Sequence, residues 1–123
     1  MQPKTVHVGI RSSEAYKQRT LAIARGEYVP GEDEPKIWFE SLGSMAQVLS
    51  RENQALLKII MEKKPTSLSE LETLTGRHKS NLSRTLKTLE RYGIVALHKE
   101  HNRIVPEVVA SHFQVEFGVG EAA

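Results

Sequence analysis

The sequence contains no cysteine, which excludes disulfide bonds and thiolate metal sites. Aromatic residues make up only 6% of it, and Asp33 is its one aspartate. No run approaches the roughly 18 apolar residues that a membrane-spanning helix needs. The first residues also lack the basic-then-apolar pattern of a signal peptide. We therefore expect a cytoplasmic protein that makes no membrane contact.

Signatures of catalysis are absent as well. We find no nucleophile motif, no phosphate-binding loop and no pair of inward-facing carboxylates. Asp33 lies between Glu32 and Glu34 in a Pro- and Gly-containing segment, where these acids are expected to keep a linker solvated. The sequence therefore predicts neither enzymatic activity nor a cofactor.

Histidines are the remaining candidates for metal ligands, and five are spread along the chain: His7, His78, His98, His101 and His112. Only His98 and His101 are spaced like a ligand pair, and Glu100 is the one carboxylate beside them. We expect no metal site, and we expect phosphate contact or solvent exposure for the histidines near the basic segment described next.

Positive charge is concentrated in one part of the chain. The 123 residues carry a formal net charge of only +2. Residues 77–103, however, hold seven basic and two acidic residues, a net charge of +5, whereas the remainder holds ten basic and thirteen acidic residues, a net charge of −3. Such a concentration is typical of a phosphate-binding surface.

The N-terminal forty residues predict a strand, a helix and a second strand. Alternation over Thr5–Ile10 indicates the first strand. Ser12 or Ser13 can cap a helix that runs to about Arg25. Its apolar side comprises Ala15, Tyr16, Ala22 and Ile23. Tyr28–Lys36 has the composition of a linker, and the apolar run Ile37–Phe39 predicts another short strand.

From Ser41 onwards the pattern is helical. Leu42, Met45, Val48 and Leu49 follow helical spacing. Ser50 can cap the next helix, which Pro65 stops. Ser67 and Glu70 match a capping box for a third helix with Leu68, Leu71 and Leu74 facing inward. Gly76 then predicts a tight turn before a longer helix over about Lys79–Tyr92, which Gly93 ends.

Two strand-like runs, Ile94–His98 and Ile104–Val109, follow this helix and are separated by five polar residues, as in a hairpin. Phe113, Val115 and Phe117 alternate again near the C-terminus. We divide the chain into a strand–helix extension (1–40), a helical and hairpin domain (41–110) and a C-terminal strand with its tail (111–123). We expect the first and last parts to build a dimer interface.

The helix from Lys79 has two unlike sides. Leu82, Leu86 and Leu89 form one stripe that faces the core. The other side presents polar and basic residues: Ser80, Arg84, Lys87, Thr88 and Arg91, with Asn81 and Ser83 on its flanks. Arg and Asn suit bidentate contacts with guanine and adenine, and Ser, Thr and Lys suit phosphates.

The order helix, helix, turn, helix, hairpin is that of a winged helix-turn-helix. The predicted fold class is therefore α+β, mainly α, a winged helix-turn-helix with an N-terminal strand–helix extension. The hairpin, at about 94–109, is the expected wing. The candidate DNA-binding residues are Arg77, Lys79, Ser80, Asn81, Ser83, Arg84, Lys87, Thr88, Lys99, Asn102 and Arg103.

The stretch "SELETLTGRHKSNLSRTLKTLERYGIVAL" resembles the helix-turn-helix of the MarR and ArsR regulators. The shared pattern falls on these residues: Leu82, Ser83, Arg84, Leu86, Lys87, Leu89, Glu90, Gly93, Ile94 and Val95. With "VGIRSSEAYKQRTLAIARGEY" and "LSRENQALLKII", the chain also resembles a family of small prokaryotic predicted DNA-binding regulators, some of them antitoxin-like.

The resemblance implies base contacts from Lys79, Ser80, Asn81 and Arg84, and wing contacts near Arg103. One departure is His78, where such regulators often have a Ser or Thr cap. This departure leaves the start of the helix defined only to within a residue or two.

The predicted function is sequence-specific binding of double-stranded DNA by a transcriptional regulator, a repressor acting as a homodimer. Two recognition helices would then read half-sites about 34 Å apart. The alternative is a protein-interaction module, such as an antitoxin that neutralises a toxin. RNA binding is a third option, but it would call for exposed stacking aromatics, and only Tyr92 lies near the basic helix.

Overall fold

The computed structural model describes residues 2–31 and 34–119, which form five strands and five helices in an α+β arrangement. The strands are β1 (Lys4–Ile10), β2 (Ile37–Phe39), β3 (Val95–Glu100), β4 (Arg103–Val108) and β5 (Ala110–Glu116). The helices are α1 (Ser13–Ala24), α2 (Leu42–Val48), α3 (Arg51–Lys63), α4 (Leu68–Thr75) and α5 (Lys79–Arg91). Each lies within a few residues of a predicted element.

A three-stranded parallel sheet unites the two ends of the chain, in the order β2-β1-β5. Val8 of β1 lies opposite both Ile37 of β2 and Val115 of β5, and Val6 lies opposite Phe113. Because side chains alternate along a strand, these apolar residues share the sheet face that meets the helices. The predicted strands are confirmed, and they pair with one another within a single chain.

The other face of the sheet carries Trp38, which lies across Gly9. A Cβ atom at Gly9 would come within 2.4 Å of Cζ3 of the Trp38 ring, so only glycine fits beneath it. Tyr16 of α1 meets the indole edge-on, with ring centroids 6.2 Å apart. The guanidinium groups of Arg11 and Arg19 lie 4.8 and 5.0 Å from its centre, within cation–π range. Trp38 therefore helps to hold α1 against the sheet.

Helix α1 is attached by these contacts rather than by an apolar face. None of its residues is buried, and Tyr16 is 43% exposed. Of the predicted apolar side, Ala15, Ala22 and Ile23 are half-buried, and Tyr16 is covered only in part, by the ring of Trp38. Glu34 is also not simply solvated, because its carboxylate is half-buried and pairs with Arg19 at 2.6 Å. Its neighbours Glu32 and Asp33 lie outside the described residues.

One hydrophobic core joins the sheet to the helices. The sheet contributes Val6, Val8, Ile37 and Phe39, and the helices contribute leucines and isoleucines such as Leu56 and Ile60. Phe39 is 1% exposed, and its ring stacks on that of Tyr92, 4.4 Å away, directly after α5. The N-terminal forty residues therefore share the core of the segment that follows them.

Serine side chains set the starts of four helices. The hydroxyls of Ser12, Ser41, Ser50 and Ser67 each accept the backbone N–H of the residue three positions later. This bond satisfies one of the donors that a helix N-terminus leaves free. Three of these caps lie where the sequence predicts them; that of α2, at Ser41, marks the position where the helical pattern begins.

Two details of α4 differ from the prediction. Ser67 accepts the N–H of Glu70, but the Glu70 carboxylate accepts from the backbone N–H and hydroxyl of Thr66 instead of returning to Ser67. Only half of the capping box therefore forms. Leu74 is 38% exposed instead of facing inward, because this short helix buries only Leu71 fully.

Candidate nucleic-acid interface

A short turn connects α4 to α5. Gly76 ends α4 in the left-handed conformation, with φ of 75°, as its residue type allows. His78 occupies the N-cap position of α5 but provides no side-chain cap. Instead, Oε2 of Glu72 on α4 accepts the Lys79 N–H at 3.0 Å. A carboxylate from the preceding helix thus replaces the missing Ser or Thr, and α5 begins at Lys79.

Helix α5 divides into a buried stripe and an exposed face, as its sequence predicts. Leu82, Leu86 and Leu89 are at most 1% exposed. The side opposite them is solvent-facing: Ser80, Asn81, Arg84, Lys87 and Arg91 are exposed, and Ser83 and Thr88 are half-exposed. The helix ends at Arg91, one residue before the predicted Tyr92.

Two cations at the centre of this face are available to a partner. Arg84 and Lys87 are exposed, and neither side chain makes a hydrogen bond or ion pair within the described part of the chain. The ion pairs found there all lie outside α5. The face therefore presents positive charge that no ion pair within the described residues neutralises. Glu90 is the one acidic residue of α5.

Arg77, just before α5, differs from these two cations. Its guanidinium donates to Asn81 Oδ1 at 2.8 Å, to Thr85 Oγ1 at 2.9 Å and to Asn53 Oδ1 of α3 at 3.3 Å. The side chain is half-buried and joins α3 to the start of α5. This network favours a structural role for Arg77, whose guanidinium holds the side chain of Asn81 in position.

We expect Arg77→Ala to lower the free energy of unfolding by about 1 kcal/mol, because hydrogen bonds linking two helices are lost. Nucleic-acid affinity should also fall, but less than on loss of a direct contact, because Asn81 loses the guanidinium that positions it. Urea unfolding and a binding titration on the same sample measure both quantities. A large loss of affinity at unchanged stability would instead make Arg77 a contact residue.

Other predicted site residues also have intramolecular partners. Lys79 Nζ donates to Ser69 Oγ at 2.8 Å, which directs it along α4. The Thr88 hydroxyl donates to the Arg84 carbonyl at 3.1 Å, and Arg91 donates to that hydroxyl at 3.4 Å. Ser80 and Ser83 lie near the start of α5, where Ser80 is exposed and Ser83 is half-exposed. The structure thus brings the α5 candidates onto one surface, with Arg84 and Lys87 the least constrained.

The hairpin β3–β4 is tighter than predicted. Its turn is only His101 and Asn102, both with positive φ, 49° and 64°, so the five-residue loop over 99–103 is wrong. Positive φ at both central residues defines a type I′ turn, whose twist matches that of the paired strands. The strands therefore extend to Glu100 and Arg103, and of the three predicted wing residues only Asn102 lies in the turn.

Strand pairing places the two hairpin cations on different faces. Glu100 lies opposite Arg103, and Lys99 lies opposite Ile104. Because directly opposed residues share a face and neighbours alternate, Lys99 and Arg103 point to opposite sides. Arg103 shares its side with Glu100, which offsets its charge, whereas Lys99 has no acidic residue opposite it.

A cavity that the sequence analysis missed lies at the end of α5. It has a volume of about 380 Å³, and its basic lining residues are Arg11, Lys36 and Arg91. The rings of Trp38 and Tyr92 are also part of its lining. Glu40 also lines the cavity, which extends from Arg91 at the end of α5 to the sheet. No local sequence pattern predicts this cavity, because the parallel pairing of β1 with β2 brings together residues that are distant in sequence.

Neither metal ligands nor a membrane span stand out in the described ranges. No group of three or more histidine or carboxylate side chains there is placed to hold a metal ion. His98 lies on β3, with Nε2 3.8 Å from Oε1 of Glu107, while His101 is in the turn. None of the described helices combines the length and the apolar character needed to cross a membrane.

The fold defines a small α+β protein with an exposed basic helix beside a two-stranded hairpin. The HVO_A0114 family model matches residues 48–115, more than half of the chain, and the chain belongs to that family. The match runs from the end of α2 to within β5 and includes α5 and the hairpin. No curated protein and no solved structure matches the chain.

Proposed function

We propose that this protein is a sequence-specific, double-stranded DNA-binding transcriptional regulator built on a winged helix-turn-helix. In this proposal α4 and α5 are the helix-turn-helix, α5 is the recognition helix and the hairpin β3–β4 is the wing. Binding represses transcription by occupying the promoter. The N-terminal strand, α1 and β2 form the extension to the winged domain.

The observation that carries the proposal is the exposed face of α5. It combines the free cations Arg84 and Lys87 with the amide of Asn81, and it lies directly opposite the buried leucines. An α-helix fits the width of the B-DNA major groove. Arg84 and Asn81 are suited to base edges, whereas Ser80, Ser83, Lys87 and Thr88 are suited to phosphates.

Electrostatics determines how such a face would bind. Each phosphate that a cation neutralises releases counterions, so the logarithm of affinity falls with the logarithm of salt concentration by about 0.9 per contact. Lys87 and Lys99 would supply this sequence-independent part of the binding. Base-edge contacts from Arg84 would add the preference for one sequence.

Fluorescence anisotropy across a salt series tests the proposal. The two duplexes are the region upstream of the protein's own gene and a shuffled duplex of the same length. We expect salt-dependent binding to both and tighter binding to the upstream region if the protein regulates itself. Selection from a random duplex library identifies the site if it lies elsewhere. Weak binding to every duplex at low salt would refute the proposal.

The two hairpin cations provide a matched pair of variants. We expect Lys99→Ala to weaken binding equally for all sequences and to reduce the salt slope by about one. Arg103→Ala should have a smaller effect, because Arg103 shares its face with Glu100. The salt dependence of anisotropy measures both slopes. An unchanged salt slope in Lys99→Ala would show that the hairpin is not part of the DNA interface.

A second candidate function is neutralisation of a partner protein, such as a toxin, by the N-terminal segment. The observation that favours it is exposed apolar surface on α1 and the following loop: Leu21 is 42% and Val29 is 82% exposed. If the protein neutralises a toxin in this way, Leu21→Glu should abolish the neutralisation while leaving DNA affinity intact. Equal neutralisation by the variant and the wild type would refute this function.

A further inference from the structure

The outer edge of β5 is open. β5 is the last strand in the order β2-β1-β5, and no other strand of the described chain pairs with that edge. Its seven residues include no proline or lysine, the residues that often protect such edges. The opposite edge of the sheet, by contrast, is formed by β2, which is only three residues long. Open backbone groups along β5 are thus a template for another strand.

An apolar groove runs beside this open edge. It has a volume of about 640 Å³, and its apolar lining includes Leu49, Leu57, Met61, Phe113 and Val115. Val115 remains 42% exposed although it lies opposite the fully buried Val8 of β1. An incoming strand would therefore find both backbone partners and an apolar surface for its alternate side chains.

We propose that the occupant is β5 of a second copy of this chain, paired antiparallel across a two-fold axis at Gln114. The two three-stranded sheets then become one sheet of six strands. In this register Phe113 lies opposite the partner's Val115, and His112 lies opposite the partner's Glu116. The two-fold axis makes each of these pairs occur twice.

Side-chain chemistry selects this register. Phe113 and Val115 share the groove face, so their pairing covers apolar surface on both copies. His112 and Glu116 are exposed on the other face. His112 Nδ1 lies 2.8 Å from Ser111 Oγ; when that hydroxyl donates, Nε2 of the neutral ring carries the proton. This Nε2–H can then donate to the partner's Glu116.

A neighbouring register is less complementary. An axis at Phe113 would place His112 opposite the partner's Gln114 and the exposed Val115 opposite the partner's Ser111. It would lose the imidazole–carboxylate pair and set an apolar side chain against a hydroxyl. Of these two registers, the axis at Gln114 is the one that pairs apolar residues on the groove face and a donor with an acceptor on the other.

Sedimentation equilibrium of the full chain and its variants tests the interface. We expect a dimer for the wild type and a monomer for Val115→Glu, which places a carboxylate in the groove. Val29→Glu is the matched control, because Val29 lies in an exposed loop, and it should remain dimeric. A monomeric wild type, or a dimer that Val115→Glu leaves intact, would overturn the proposal.

A charge exchange tests the pairing of His112 with Glu116. His112→Glu sets two carboxylates against each other twice and should raise the dimer Kd about tenfold. The double variant His112→Glu, Glu116→Lys restores opposite charges and should recover the wild-type Kd. Failure of the second substitution to rescue the first would refute this register.

Disulfide trapping tests the register independently, because the native chain contains no cysteine. Gln114→Cys should cross-link readily, since residues opposed across antiparallel strands have Cα atoms about 4.5–5.5 Å apart. His112→Cys alone should not cross-link, but His112→Cys combined with Glu116→Cys should. Cross-linking of Phe113→Cys instead would place the axis at Phe113. None of these measurements involves DNA, so the dimer and the proposed function can fail separately.

Discussion

Phe39→Ala is expected to destabilise the whole chain by about 3–5 kcal/mol, the range for truncating a buried phenylalanine. Small domains have a total stability of about 5–15 kcal/mol, so this one substitution removes a large share of it. Phe39 lies on a strand of only three residues. Its large effect follows from what the ring joins, rather than from the length of β2.

The ring of Phe39 connects the N-terminal sheet to the end of the basic helix. It is 1% exposed and stacks on Tyr92 with an interplanar angle of 23°. Tyr92 caps α5 and precedes Gly93, whose φ of 78° turns the chain toward β3. Removing the ring leaves a cavity between these elements, so the sheet and α5 should lose stability together.

Trp38, the one tryptophan of the chain, makes this expectation measurable. Its fluorescence reports on the N-terminal sheet, while circular dichroism at 222 nm reports mainly on the helices. Urea unfolding curves from the two probes should coincide and shift together in Phe39→Ala. Val29→Ala, at an exposed position, is the control and should change stability by less than about 0.5 kcal/mol. Separate transitions would show that the first forty residues fold as an independent unit.

Local signals in the sequence predict the helical part of the fold well. Ser50, Ser67 and Gly76 each act within a few residues, and the structure places the caps and the turn where these residues predict them. The leucine stripe of α5 has helical period, and its burial follows from that period alone. Predictions that depend on helix caps, on the turn between α4 and α5 or on the apolar stripe of α5 are therefore largely confirmed.

Features that depend on distant parts of the chain were not predicted. The pairing of β1 with both β2 and β5 joins segments that are up to 107 residues apart, and no local pattern encodes it. The inward position assigned to Leu74 fails, because the contacts of α4 with α3, α5 and β4 leave Leu74 38% exposed. The two-residue turn was missed because His101 and Asn102 lack the glycine that usually marks such a hairpin.

The candidate site shows the same division. Its composition was predictable, because the basic residues lie on one helix and the hairpin that follows it. The hydrogen bonds that these residues make within the fold were not predictable. Arg77 binds Asn53 of a helix 24 positions earlier, and only the packed structure shows that its charge is used within the fold. Arg77 is therefore a weaker candidate for DNA contact than Arg84.

Arg84→Ala is expected to weaken binding to the preferred DNA sequence by about 1–3 kcal/mol, or roughly 5- to 150-fold, while binding to a shuffled duplex changes less. The expectation depends on Arg84 being exposed and without an intramolecular side-chain partner among the described residues. Its guanidinium can form two parallel hydrogen bonds to one guanine without breaking any contact of the fold. Stability should therefore stay within about 0.5 kcal/mol of the wild type.

Arg84→Lys separates base recognition from charge. Lysine keeps the positive charge but loses the planar pair of donors, so a base-reading arginine should be poorly replaced and a phosphate-binding one well replaced. Arg25→Ala, which removes an exposed arginine from the end of α1, controls for the general loss of positive charge. Anisotropy titrations of the four proteins against preferred and shuffled duplexes give the specificity ratio of each. Equal losses on both duplexes in Arg84→Ala, with full rescue by lysine, would make Arg84 a phosphate contact and leave Asn81 as the principal base-reading residue of α5.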